Sequence, residues 1–415
     1  MRLNHGLHLA YCTNIHRGET WRETLASLET HALAVRERVC PKRPFAIGLR
    51  LSHRAARELS DPGTLLAFQR WLAQKDCYVF TINGFPYGQF HGTRVKEQVY
   101  LPDWTSPERL AYTNLLFDLL AKLLPAGVEG SVSTLPGSFK GFQLNADALK
   151  AIRQNLWYGI EHIAHLAEQT GRRLHLGLEP EPLCLLESSA ETIHFFDRLR
   201  TEHPRDARLA EHLGVNYDTC HFAVNFEDPK NALACLHHHG IKISKIHLSS
   251  ALKVRPTAAA RQALATFAED VYFHQVVVRD PAGNRKIYYD LPDALADPEA
   301  GDQMPDSRCR SPDAGAQTPD PRPETPDASL PEWRIHFHVP LHAPAVPPLD
   351  NTIDHLLGVL DLLAENPHLC SHLEMETYTW EVLPPELKSL SVVEQLAAEY
   401  AWMLPQLAER GLANR

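Results

Sequence analysis

The sequence predicts a (β/α)8 TIM barrel interrupted by one long insertion, and three observations predict it. Short apolar runs alternate with longer stretches of helical period, the pattern of βα units feeding a parallel sheet. Eight such runs can be counted, and eight is the number that closes a barrel of ~250 residues or more. Carboxylates and imidazoles gather at the C-terminal ends of the later runs, the end where such barrels carry their chemistry.

The elements follow in order. "GLHLAYCTN" reads as the first strand, and "TWRETLASLETHALAVRERV" places Leu25, Leu28, Ala32 and Val35 on one helical face. "FAIGLRLS" and "CYVFTING" are the next two strands. Ser106 and Pro107 open the helix of "SPERLAYTNLLFDLLAKLL", and "GSVSTLPG" is the fourth strand. A helix from about Ala146 to Gln169 leads into "RLHLGLEPEP", followed by "HLGVNYDTCHF", "IKISKIHLSS" and, near the end, "LCSHLEMET". After the seventh strand, about 254–332 breaks the rhythm and is expected to be an insertion within a single domain spanning 1–415. "VYFHQVVVRDPAGNRKIYYDL" reads as a hairpin over about 271–290, with Asp280, Pro281, Gly283 and Asn284 in its turn. From Asp297 to Pro331 the chain is rich in Pro, Asp, Ala and Ser and nearly empty of large apolar groups, so it is expected to be disordered.

Bulk composition narrows the function. With 51 acidic against 41 basic side chains the formal charge is -10, so the footprint of a nucleic-acid binder is missing and no nucleic-acid partner is expected. The eight cysteines are scattered, with no C-x-x-C and no secretory leader in "MRLNHGLHLAY". That favours free thiols and a cytoplasmic setting. No apolar stretch approaches the ~18 residues of a membrane helix, so no transmembrane segment is expected. The 24 histidines are the compositional oddity.

Residues two apart share a face of a strand. Glu179 and Glu181 of "LEPEP" therefore point together, as do His336 and His338 of "RIHFHV" and Glu374 and Glu376 of "LEMET". Asp218 ends its strand with His221 one turn on, and His247 ends "KIHL". Mixed oxygen and nitrogen donors of this kind suit a divalent transition metal, Mn, Zn, Fe or Co, and suit Ca poorly. Each residue also has a plainer reading. A lone Asp after a strand caps a helix, a lone His in a strand is a hydrogen-bonded core residue, and Glu374 with Glu376 would make a solvated edge. Their common position at the same end of consecutive strands favours the metal. The three histidines at 237 to 239 read as a solvated helix end. The long stretch "TINGFPYGQFHGTRVKEQVYLPDW" offers Asn83, Tyr87, His91, Lys96 and Asp103 above the third strand for substrate binding. Equally, Phe85, Phe90, Tyr100 and Trp104 would simply pack it down.

The chemistry-bearing residues resemble the metal site of the xylose isomerase-like TIM barrels, the superfamily of sugar isomerases, ketose 3-epimerases and endonuclease IV. There a strand-end Glu often followed by Pro, an Asp with His three later, a His and a last Glu supply ligands in that chain order. Glu179 of "LEPEP", Asp218 and His221 of "DTCH", His247 of "IHLSS" and Glu376 of "METY" match in order. His336 and His338 fall where the superfamily carries a second pair of ligands, so the resemblance implies one or two ions. In epimerase-like members two metal-bound glutamates move a proton beside a carbonyl through a metal-stabilised enediolate. The resemblance implies Glu179 and Glu376 for that catalytic role on a small polyhydroxylated metabolite, with Glu181 also at the substrate. Glu181 stands where "EPKP"-type isomerases place a lysine, a departure that sets sugar isomerisation itself in doubt.

A closer resemblance covers nearly the whole chain. "GLHLAYCTNIH", "FTINGFPYGQFHG", "VKEQVYLPDW", "STLPGSFKGF", "LGLEPEPLCLLE", "YDTCHFAV", "IHFHVPLH" and "METYTWEVLP" resemble the metabolite traffic protein EboE family, itself a xylose isomerase-like barrel. The Pro- and Asp-rich insert departs from that family. The resemblance implies a small-molecule metabolite as ligand and membrane-associated pathway partners, and names neither substrate nor reaction. Three functions stay open: a metal-dependent isomerase or epimerase, a non-catalytic metabolite-binding or transport accessory protein, and an endonuclease IV-like phosphoesterase. "DTCH" and the histidine doublet speak for the last, and the acidic balance speaks against a DNA substrate.

Overall fold

Side chains alternate across a strand, and in this protein that alternation separates an apolar shell from a polar interior. The computed structural model describes residues 1–89, 91–92, 94–298, 330–385 and 388–414. Its eight barrel strands are His8–Cys12, Phe45–Arg50, Cys77–Asn83, Gly130–Thr134, Leu174–Leu178, Leu213–Asp218, Lys242–Leu248 and His372–Met375. All neighbours pair in parallel, and the eighth strand joins both the first and the seventh, which closes the ring. The eight runs read from the sequence are these eight strands. One side-chain set, including Leu9, Ile47, Val132, Leu176, Val215 and Leu373, has no exposed surface and belongs to the main apolar core.

Interiors of such barrels are usually filled with branched aliphatic layers, whereas here the inward set is polar. His8, His175 and His372 lie at the start of their strands. Lys245, Glu374, Asn83 and Ser133 come next, and Glu179, Asp218, His247 and Glu376 stand at the C-terminal end. Each is buried, so each needs a partner inside the barrel. His8 Nδ1 meets Tyr78 OH at 2.9 Å, His175 Nδ1 meets Ser244 Oγ at 2.6 Å, and His372 Nδ1 meets Ser131 Oγ at 2.9 Å. Room for Glu374 comes from Gly48 on the second strand, where a Cβ would collide with the Glu374 carboxylate.

The helices are specified locally. Ser106 caps Pro107–Leu123, and Asn145 caps Ala146–Thr170, which Gly171 ends at φ 65°. Among the described residues no helix is long and apolar enough to cross a membrane.

Between the seventh and eighth barrel strands the chain builds a second, antiparallel sheet. Its order is Arg285–Tyr288, Val276–Arg279, Glu332–His338, Ala251–Val254, Asp350–Asn351. The hairpin turn from Asp280 to Asn284 is closed by Asp280 N to Asn284 O at 3.0 Å, with Gly283 at φ 92°. A separate apolar core, including Val254, Val276, Trp333, Ile335 and Phe337, packs on this sheet. The sheet takes in strands from Ala251 to Asn351, wider than the 254–332 expected. Composition marks where the rhythm breaks, but its flanking strands alternate like any others, and only pairing shows which sheet they join. Of the stretch expected to be disordered, about 297–331, residues 299–329 lie outside the described residues.

Candidate metal centre

The site is assembled by strand register. Asp218 is level with His247, and His247 with Glu374, across the sixth, seventh and eighth strands. Glu179 follows the end of the fifth strand, and Glu376 that of the eighth. Asp218 serves two purposes. Its Oδ1 caps the helix Thr219–Val224, accepting from Cys220 N at 2.7 Å and His221 N at 3.1 Å, and also accepts from Ser249 Oγ at 2.6 Å. Its Oδ2 is buried without a hydrogen-bond partner. The capping turn is also what brings His221, three residues on, over the same rim.

Three carboxylates crowd one ring nitrogen. His247 Nδ1 lies 3.1 Å from Glu179 Oε1, 3.4 Å from Asp218 Oδ2 and against Glu376 Oε2. A single N–H can serve only one of them, and Glu376 Oε2 has no hydrogen bond despite the contact. His247 Nε2 faces Glu374 Oε2 at 3.1 Å. Because Nε2 is held by that carboxylate, which Lys245 also engages, Nδ1 is the nitrogen that would give up its proton to a cation placed among the three carboxylates. Ligand atoms of Glu179, Asp218, His247 and Glu376 all lie within 4.8 Å of one another. Burying such anions uncompensated costs several kcal/mol per ion, and a divalent cation held by three oxygens and one nitrogen is the group this set fits.

Beside this quartet stands a histidine half. His221 Nδ1 donates to Pro180 O at 3.0 Å and His338 Nδ1 to Glu376 O at 3.2 Å, while His336 Nδ1 meets Gln275 Oε1 at 2.7 Å. The Nε2 atoms of His336 and His338 are buried without partners. Burial pushes His336 well below the usual imidazole range and His338 to about 4, so both are neutral at pH 7. Asp218, His221 and His338 form a second group with ligand atoms within 4.8 Å, and Cys220, His336 and His338 a third.

Packed against the quartet is a buried network whose centre, Lys245, the sequence reading did not identify. Lys245 Nζ donates to Glu374 Oε2 at 2.6 Å, Asn83 Oδ1 at 2.5 Å and Ser133 Oγ at 3.2 Å, and Asn83 Nδ2 donates to Glu374 Oε1 at 2.9 Å. Burial works against ionisation of Glu374, yet Lys245 and His247 hold it at about 2. Burial lifts Glu376 and Glu181 to about 7. Lys245 had a signal, since it shares a strand face with His247. Asn14, whose Nδ2 donates to Glu376 Oε1 at 2.8 Å, sits in a turn with no periodicity to read.

The proposed substrate residues are dispersed. Asn83, Lys96 and Glu181 line the cavity above the quartet. Glu181 accepts from Tyr100 OH at 2.9 Å, and Lys96 pairs with Asp290 at 2.5 Å. His91 ties Tyr272 OH at 2.6 Å to Asn14 O at 2.5 Å. Tyr87 stacks on His53 at 4.7 Å and meets Tyr112 edge-on at 5.0 Å, away from the cavity wall. Asp103 accepts from Ser138 and from Thr105.

No family model matches the sequence, and no curated protein does. Among solved structures, a xylose isomerase-like TIM barrel protein from Mycobacterium smegmatis in complex with magnesium aligns over 99% of this chain and 99% of its own, at 12% identity and a TM-score of 0.52. The fold is a (β/α)8 TIM barrel like that of this neighbour. An L-ribulose 3-epimerase aligns over 99% and 96% of the two chains at 12% identity with a TM-score of 0.49. The IOLI protein with a binding zinc atom covers 97% and 98% at 11% identity and 0.47.

Proposed function

We propose that the protein is a metal-dependent isomerase or epimerase acting on a small polyhydroxylated metabolite. The observation that carries this reading is the crowding of Glu179, Asp218 and Glu376 about His247 Nδ1. Those four residues would hold the ion, which supplies positive charge against the negative charge that develops on a substrate carbonyl oxygen. Glu179 and Glu376 reach the cavity floor from the fifth and eighth strands. One takes a proton from the carbon beside the carbonyl and the other returns one. Asn83 and Glu181, on the same floor, are the proposed contacts to substrate hydroxyls. The orphaned His338 Nε2, with His221 and Asp218, favours a second ion at the rim. The EboE resemblance supports a place in metabolite traffic. The seven free cysteines among the described residues agree with a reducing, cytoplasmic setting.

Protein purified without added metal is expected to carry a stoichiometric divalent transition metal by elemental analysis. In D2O the loaded protein should exchange hydrogen beside the carbonyl of an α-hydroxyketone, and Glu179→Gln or Glu376→Gln should abolish the exchange. Metal and ligand binding without exchange would instead identify an accessory binding protein, and exchange surviving both substitutions would exclude the proposed acid–base pair.

A further inference from the structure

The floor and the walls of the cavity above the quartet differ in chemistry. Carboxylates, amides and imidazoles make the floor, among them Glu179, Glu181, Glu376, Asn83, His221 and His336. The walls are aromatic: Phe85, Tyr100, Tyr272, Phe273 and Tyr378, with Val95 and Val99 between them. Three separate segments bring these rings together, the long connection after the third strand, the insertion and, with Tyr378, the chain just after the eighth strand; the first two are tied by Val95 N and Lys96 N to Val271 O at 2.8 and 3.0 Å. The rings brace one another, Phe85 on Tyr100 at 6.1 Å and Tyr272 on Tyr378 at 5.5 Å.

The polar ends of two of these rings are already engaged. Tyr100 OH donates to Glu181 and accepts from Gln275 Nε2 at 3.0 Å, and Tyr272 OH meets His91 Nδ1. Among the described residues the wall carries one lysine and no arginine, and that lysine, Lys96, is paired with Asp290. A hydroxyl group placed against these rings would lose water without gaining a partner. An anionic group would meet three carboxylates, and the basic side chains of the lining are already engaged, Lys96 with Asp290 and His221 among Asp218, Glu181 and Glu179.

Resting on the metal-site reading above, we propose that the metabolite's oxygen-rich head, which meets the floor, is joined to a flat, uncharged apolar body of aryl type, which the aromatic walls enclose. The substrate is then neither an all-polar sugar nor a phosphorylated one.

Calorimetric titration of the manganese-loaded full chain with three probes tests this. Hydroxyacetone and 2-hydroxyacetophenone share one hydroxyketone head and differ in a phenyl ring, and D-fructose supplies a polar body. The phenyl ketone should bind at least about tenfold tighter than hydroxyacetone and tighter than D-fructose, in a metal-dependent manner. Phe273→Leu should erode that margin with metal content unchanged. Equal affinity for the two hydroxyketones, or tighter binding of D-fructose, overturns the inference while metal-dependent binding leaves the site reading intact. If none of the three shows metal-dependent binding, the metal reading falls and this inference falls with it.

Discussion

His247 and His372 lie on neighbouring strands of one barrel, both fully buried, and they have opposite chemistry. His372, at the N-terminal end, finds the Ser131 hydroxyl, the Phe80 ring at 4.6 Å and the His175 ring at 5.3 Å. Burial, helped by its neighbouring imidazoles, pushes it well below the usual range. His247, at the other end, is held well above that range: burial opposes protonation, but Glu376, Glu179 and Asp218 outweigh it. Residue type and depth are the same at the two ends. What differs is the company of carboxylates, and that company, rather than an imidazole in a strand, marks a place for a cation.

The comparison breaks first at the carboxylates. Asp218→Asn should weaken metal binding by more than the ~10- to 100-fold that loss of an outer partner costs, as measured by chelator competition. An unchanged affinity would make the C-terminal end as inert as the other. Glu374→Gln should leave Lys245 buried without its counterion and lower stability by about 3–5 kcal/mol in urea unfolding. Metal affinity should fall with it by ~10- to 100-fold, because His247 loses the group that orients it. His338→Ala sharpens the comparison within the mouth. Metal stoichiometry falls from about two to about one if the histidine half holds its own ion. If His338 only orients the first, the ratio stays and affinity drops ~10- to 100-fold.

The N-terminal end should show itself through acid. His8, pushed to about 4 by burial and nearby positive charge, and His372, held well below the usual range by burial, take up protons near pH 6.5 when the chain unfolds. A depressed imidazole contributes stability in full above about pH 6.5 and loses it as the pH falls toward 4. The urea midpoint of the metal-free protein should therefore fall across that window by the equivalent of a few kcal/mol. The smallest effect is expected from His372→Asn, which costs about 1–2 kcal/mol, flattens part of the acid dependence and leaves metal affinity alone. Altered metal binding in that variant would mean that the two ends are coupled.

The barrel was legible because period two and period 3.6 are local signals, and the eight strands carry them. That Glu179, Asp218, His247 and Glu376 would come together was legible because strand ends are addresses in such a fold. Lys245 was not, although it stands two residues before His247. A lysine in a barrel interior makes sense only with Glu374, and that pairing spans 129 residues of sequence that no local pattern links. Tyr87 and His91 were chosen because long loops carry function. Their side chains are engaged with His53, Tyr112 and Tyr272, contacts that composition does not foretell. Cys220 was hidden inside "DTCH", where attention goes to the residues on either side.

His336 and His338 do not ride on the barrel. They are carried by a separate antiparallel sheet with its own core, so the mouth is a seam between two separately packed bodies. Any ion bridging Asp218 and His338 would act as a rivet across that seam. Its loss should loosen the inserted sheet before it loosens the barrel, and protease cutting near the Asp280 turn would report occupancy of a centre it never touches.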